Sequence, residues 1–263
     1  MNKENIIVLK YQENFADNLS LCAYGKILEN ETQRKCFFEN NSKKRENFEN
    51  FMANFKMDYN YISTARIENI TKKSYLLSRL YINDKQIHKE ISKKRNSNSI
   101  LNLKYFKIDD IKHLSNEITS GFKFNNTSFI QNFDILEEIT NTQSIGLFIN
   151  PKDLQNNEVD YNYITNATKR LNKYIKKPKL YIFSDLKVNN KINSYIDFKI
   201  YNLKDWREEF YFLKNCKHKI ILNSTNSYSE GLWSAILNQK DYSINIYDKK
   251  LKVQNKYDNW IGV

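Results

Sequence analysis

The sequence predicts an α/β protein whose carboxyl-terminal part, residues 141–263, is a doubly wound parallel sheet. Short runs of consecutive apolar residues recur there, as expected of strands buried on both faces. They alternate with segments whose apolar positions repeat every three or four residues, the signature of amphipathic helices. These segments are about three turns long, enough for the right-handed crossovers that join parallel strands.

The elements follow in order. Asn5–Lys10 (NIIVLK) reads as a strand and Ala16–Leu28 as a helix, with Leu19, Ala23 and Ile27 on one face. From Thr32 to Asn125 the chain is basic and aromatic with weak periodicity, and helices are predicted around Lys43–Phe55, Ile67–Tyr81 and Asp109–Thr119. Ile135, Leu136 and Ile139 mark a short helix, and Ser144–Ile149 (SIGLFI) a buried strand. Tyr161–Ile175 is a helix with Ile164, Ala167, Leu171 and Ile175 on one face, and Lys179–Phe183 a strand. Asp205–Cys216 is a helix through Trp206, Phe210 and Leu213, followed by a strand over Lys219–Leu222. Glu230–Leu237 closes as a helix and Tyr242–Ile246 as a strand. The change in pattern sets a boundary at residue 140, giving an amino-terminal lobe (1–140) and a carboxyl-terminal lobe (141–263).

A chain of 263 residues can bury cores of ordinary size without cross-links. Cys22, Cys36 and Cys216 are odd in number and scattered, which argues for a reducing compartment and against structural zinc. No run reaches the roughly 18–20 apolar residues of a membrane helix, and the start is too short and charged for a secretory signal, so a cytoplasmic location is expected. The net charge of +12 attracts phosphates. Abundant Lys, Asn, Ile and Tyr beside 5 Gly and 2 Pro also fit the coding bias of an AT-rich genome, which gives a basic but merely solvated surface. The charge is therefore read as an aid to holding anionic lipid or a nucleotide diphosphate. A nucleic-acid partner is not expected, although a basic nucleic-acid-binding protein stays open as the alternative class.

In open parallel sheets ligands bind beyond the carboxyl ends of the strands. That rule selects the segments after Lys10, Ile149, Phe183 and Leu222. After Ile149 stand Asn150, Pro151, Lys152 and Asp153: a lysine to meet phosphate and a carboxylate to orient a hydroxyl or act as a base, or else turn and cap chemistry. After Phe183 stand Ser184 and Asp185, able to bind a base or ribose or to cap the next element. After Leu222 the chain reads Asn223, Ser224, Thr225, Asn226, Ser227, Tyr228, Ser229, Glu230, Gly231 into a helix containing Trp233. Small hydroxyl residues at a helix start let backbone N–H groups approach a diphosphate. A simple N-cap accounts for one such residue and not for the whole run. There is no P-loop or Gly-x-Gly-x-x-Gly, and no Asp-x-Asp follows a strand, so no bound metal is indicated. His88 and His113 are read as solvated and His218 as a loop residue.

In this order the segments resemble glycosyltransferase family 11, the bacterial α-1,2-fucosyltransferases. Glu137-Glu138-Ile139 through Ser144–Ile149 looks like the approach to that family's His-x-Arg-Arg-x-Asp motif, with Asp153 at its acidic end. Tyr181–Asp185 looks like its Phe-Ser-Asp motif. Cys216–Thr225 with Trp233–Asn238 is similar to its Asn-Ser-(Ser/Thr) region, Asp258–Ile261 to its ending, and Phe15–Leu19 to its Gly-Leu-Gly-Asn-Gln start. Asn150 and Pro151 stand where the family has two arginines, and the first motif has lost its glycines.

The resemblance implies two Rossmann-like lobes of the GT-B type and an inverting, metal-independent transfer of fucose from GDP-fucose to a hydroxyl of a surface glycan, with no cofactor. It implies that Asn150, Lys152, Ser184, Asp185, Asn223, Ser224, Thr225, Ser227, Tyr228, Ser229 and Glu230 hold the donor, that Asn14 and Asn18 face the acceptor, and that Asp153 or Asp17 is the base. Another nucleotide sugar, or a silent homologue, stays open because of the altered arginine positions. Peripheral contact with the inner face of an anionic membrane is a further expectation.

Overall fold

The computed structural model describes residues 6–9, 15–40, 52–57, 59–63, 79–80, 99–101, 116–184, 188, 191–223, 230–238, 242–249 and 259–263. The chain forms two compact units, Met1–Asn125 and Asn126–Val263.

The first unit holds β1 (Ile6–Leu9), α1 (Phe15–Thr32), β2 (Lys35–Asn40), β3 (Asn60–Ser63), β4 (Arg79–Leu80), β5 (Ser99–Leu101) and α2 (Asn116–Gly121). Its five strands lie in the order β3-β2-β1-β5-β4, all parallel. β1 is buried along its whole length, and Leu19, Cys22, Ala23 and Ile27 of α1 join it in the core. Gly25 permits the close approach of α1, because a Cβ there would meet Leu9 Cδ1 at 2.6 Å. The helix predicted over Ile67–Tyr81 is corrected at its end, where Arg79–Leu80 is a strand. The rest of that segment and most of Lys43–Phe55 lie outside the described residues; the helix expected over Asp109–Thr119 is described from Asn116 onward.

The second unit holds α3 (Phe133–Asn141), β6 (Gln143–Phe148), α4 (Pro151–Gln155), α5 (Tyr161–Tyr174), β7 (Pro178–Phe183), β8 (Phe198–Tyr201), α6 (Trp206–Asn215), β9 (His218–Ile221), α7 (Glu230–Leu237), β10 (Asn245–Tyr247) and β11 (Trp260–Gly262). Helix α3 belongs to this unit, which therefore begins before residue 141. Its start is tied to α6 by Glu208, whose carboxylate accepts from Gln131 N at 2.7 Å and Asn132 N at 2.8 Å. The six strands run in the order β11-β10-β9-β6-β7-β8, every pair parallel. Counted from β6, this is the dinucleotide-fold order 3-2-1-4-5-6, whose topological switch point lies between β6 and β9.

Both faces of this sheet are covered, which is why its strands read as unbroken apolar runs. Ile145, Leu147, Leu180, Ile182 and Ile220 pack in one cluster with Ile164, Ala167 and Leu171 of α5. On the opposite face Gly146 lies under α6: a Cβ there would meet Leu213 Cδ1 at 2.9 Å and Cys216 Cβ at 3.1 Å. Lys219 is buried and donates to the carbonyls of Cys216 and Lys214, placing a cation at the carboxyl terminus of α6. All three cysteines are free and buried.

Candidate functional site at the sheet switch point

Because every strand of the second sheet is parallel, the exits of β6, β7, β9 and β10 lie along one edge. Register fixes their alignment: Phe148 pairs with Phe183, Leu147 with Ile220 and Tyr247 with Ile221. The ladder continues one residue past β6, where Ile149 N donates to Phe183 O at 3.0 Å, and past β7, where Ser184 N donates to Tyr201 O at 3.0 Å.

The exit of β6 is a short helix rather than the expected loop. Pro151 is its first residue, where a missing N–H and a fixed φ are tolerated, and the carbonyl of Asn150 accepts from Leu154 N at 3.2 Å. Asp153 falls in the first turn and is only 6 % exposed; Asn150 is half-buried. Lys152 lies in the same turn by its backbone, and its side chain is outside the described set.

The exit of β7 places Ser184 at 5 % exposure, and among the described residues its Oγ has no hydrogen-bond partner. A buried hydroxyl without a partner is costly, so such a group at the ligand-binding edge of a parallel sheet invites a ligand. Asp185 lies outside the described residues.

The exit of β9 places Asn223 half-buried, and Glu230 opens α7, also half-buried. Ser224, Thr225, Ser227, Tyr228 and Ser229 lie outside the described residues. The structure therefore brings Asn150, Asp153, Ser184, Asn223 and Glu230 to one edge of one sheet. Asp17 and Asn18 belong to the first unit, in the first turns of α1 beyond the exit of β1, with Asn18 buried and Asp17 half-buried; Asn14 is outside the described residues.

Further groups at the carboxyl edge of the second sheet escaped the sequence reading. Asp248 directly follows β10 and is 9 % exposed. The strand-tip rule would have selected it had β10 been ended at Tyr247. The hydroxyl of Tyr163, on α5, donates to Ile221 O at 3.0 Å and Ile246 O at 3.1 Å, closing the ladder ends of β9 and β10. Burial, followed by the nearby Asp248 and Asp160 carboxylates, pushes that phenol well above its ordinary range, so it stays a donor. On α6, after β8, burial pushes the Glu209 carboxyl up to about 7 against an opposing hydrogen bond from the Leu203 backbone. Such a group can trade protons near neutrality.

His218 is corrected from a loop residue to the first residue of β9, at the opposite edge. It is buried, and Nδ1 accepts from Ile244 N at 3.0 Å. Burial first, then Lys219 and Lys217, hold its pKa down at about 4, so it is neutral and takes no part in the carboxyl-edge chemistry.

No protein-family model matches the chain, and no curated protein matches it in sequence. Solved structures do match in fold. The crystal structure of the α-1,6-fucosyltransferase NodZ soaked with GDP-fucose superposes with a TM-score of 0.52 at 15% identity, over 89% of this chain and 93% of that one. Fucosyltransferase NodZ from Bradyrhizobium gives 0.51 at 13% identity over 90% and 92%. A mutant of Arabidopsis thaliana FUT1 in complex with GDP gives 0.54 at 9% identity over 94% and 71%. The chain thus has an α/β fold of the GT-B glycosyltransferase type, and it shares that fold with fucosyltransferases.

Proposed function

We propose that this chain is a glycosyltransferase resembling fucosyltransferases, and that it transfers fucose from GDP-fucose to a hydroxyl of a glycan acceptor with inversion and without a metal. The observation that carries the reading is the switch point between β6 and β9, whose exits deliver Asn150–Asp153, Asn223 and Glu230 to one edge. The fold shared with enzymes crystallised with GDP-fucose or GDP supports the choice of donor.

In this reading the hydroxyl-rich segment 223–229 and the start of α7 take the diphosphate, where backbone N–H groups and the helix dipole meet negative charge. Ser184 and Asp185 line the nucleotide pocket, and the unpartnered Ser184 Oγ finds its hydrogen bond there. Inversion needs in-line attack and a base for the acceptor hydroxyl. Asp153 and Asp17 are the candidates for that base, with Asn14 and Asn18 on the acceptor side. Lys152 supplies charge to the leaving diphosphate, as a point charge rather than the bidentate fork of an arginine.

A second reading keeps the fold and changes the donor. It is favoured by Asn150 and Pro151, which build the start of α4 and offer no cation where the resembled family has arginines. The test is a transfer assay with GDP-fucose and with UDP-, CMP- and dTDP-sugars against mixed glycan acceptors, on the wild type and on Asp153→Ala. Transfer from GDP-fucose that falls at least a hundredfold in the variant, with an unchanged melting temperature, supports the reading. Transfer only from another donor favours the second, and wild-type turnover by Asp153→Ala removes that residue from the mechanism.

A further inference from the structure

The edge of the second sheet opposite the candidate site has a chemistry of its own. The connections entering β7, β9 and β10 all arrive there, because the strands are parallel. Ahead of β7 stand Lys173, Lys176 and Lys177, all exposed; ahead of β9 stand Lys214 and Lys217, half-buried. The acids on this side are few among the described residues. Asp197 precedes β8, Glu137 lies in the last turn of α3, and Glu138 is already held by Lys179 and Lys199. Three large exposed aromatics precede strands on this edge: Tyr174 at 60 % exposure, ending α5 ahead of β7, Tyr195 at 52 %, ahead of β8, and Tyr242 at 58 %, ahead of β10.

Helix dipoles explain part of this. Lys173 and Lys214 occupy the last turns of α5 and α6, where a cation is favoured in any fold. Lys176, Lys177 and Lys217 lie past those turns, and the dipole does not account for them or for the exposed tyrosines.

We propose that this amino edge is a docking surface for an anionic lipid bilayer. Lysines gather at a surface of acidic headgroups, and each contributes roughly fivefold to the partition. Tyrosine settles at the headgroup level with its ring toward the acyl region and its hydroxyl in water. Single-stranded nucleic acid is the competing occupant of a basic, tyrosine-bearing edge, and displacement by RNA separates it from the bilayer. Docking by this edge leaves the exits of β6, β7 and β9 turned away from the membrane.

The experiment is co-sedimentation of the full chain with vesicles of phosphatidylcholine alone, or mixed with phosphatidylglycerol, over a salt series. Binding is expected to the mixed vesicles only and to weaken as salt rises. Lys176→Glu/Lys177→Glu/Lys217→Glu should lower the partition at least tenfold with an unchanged melting temperature. The matching Lys→Gln triple should give an intermediate loss, and Tyr174→Ala/Tyr242→Ala a loss that persists at high salt. Equal binding of the charge-reversed and wild-type chains, equal binding to neutral vesicles, or displacement from mixed vesicles by homopolymeric RNA at the same charge concentration would overturn the proposal.

Discussion

Tyr163 reaches from α5 to the last residue of β9: its hydroxyl lies 3.0 Å from the carbonyl oxygen of Ile221. The same hydroxyl lies 3.1 Å from Ile246 O, so one phenol proton serves the tips of two neighbouring strands just before their functional exits. Tyr163→Phe keeps the ring and leaves both carbonyls without that donor. A loss of about 1–2 kcal/mol is expected in denaturant unfolding. Nucleotide affinity should fall as well, because the segment after Leu222 loses its fixed base.

Ser184 separates a folding role from a binding role. Its buried Oγ has no partner among the described residues, so Ser184→Ala should leave stability unchanged or raise it by about 1 kcal/mol. The same change should weaken nucleotide binding severalfold if the hydroxyl meets the ligand. Melting curves with and without GDP read both effects on one sample.

Gly146 is required by packing. In Gly146→Ala the added methyl would meet Leu213 Cδ1 at 2.9 Å and Cys216 Cβ at 3.1 Å, pushing α6 from the sheet. A destabilisation of about 1–3 kcal/mol is expected in urea unfolding.

A buried imidazole and a half-buried carboxyl give the second unit opposite pH dependences. His218 is held at about 4, below its ordinary value of 6.5, so its contribution is complete above 6.5 and is lost as pH falls toward 4. His218→Asn, which keeps an acceptor for Ile244 N, should remove on the order of 2 kcal/mol of that acid sensitivity. Glu209 is raised from 4.5 to about 7, so its contribution is complete below 4.5 and is lost as pH rises toward 7. Glu209→Gln should therefore stabilise the chain at pH 8 by about 2 kcal/mol and change little at pH 4. Stability against pH for the two variants checks both signs.

The second sheet was legible because burial on both faces makes its central strands continuous apolar runs, as in SIGLFI and KLYIF. Its edge strands were not. Phe198–Tyr201 mixes a lysine into a half-covered edge, and Trp260–Gly262 is too short to carry a period. In the first unit β2 contains Lys35, Glu39 and Asn40, and β4 is two residues long, so tertiary pairing rather than local pattern makes them strands.

At the candidate site, the strand-tip rule needs only strand ends and parallel pairing, and both could be read for β6, β7 and β9. The start of α4 was hidden because Asn-Pro serves turns and helix starts alike. Asp248 was hidden because the predicted strand ended at Ile246, one residue before Tyr247. His218 looked like a loop residue because a polar residue between lysines gives no sign of burial.

The account rests on a nucleotide diphosphate bound at the exits of β6 and β9. A melting-temperature panel with GDP, UDP, CMP and dTDP tests that most directly, since a ligand that binds only the folded chain stabilises it by about 2.7 kcal/mol at a hundred times Kd. The account predicts a rise of several degrees with GDP, larger than with the other three. An unchanged melting temperature with all four would contradict it.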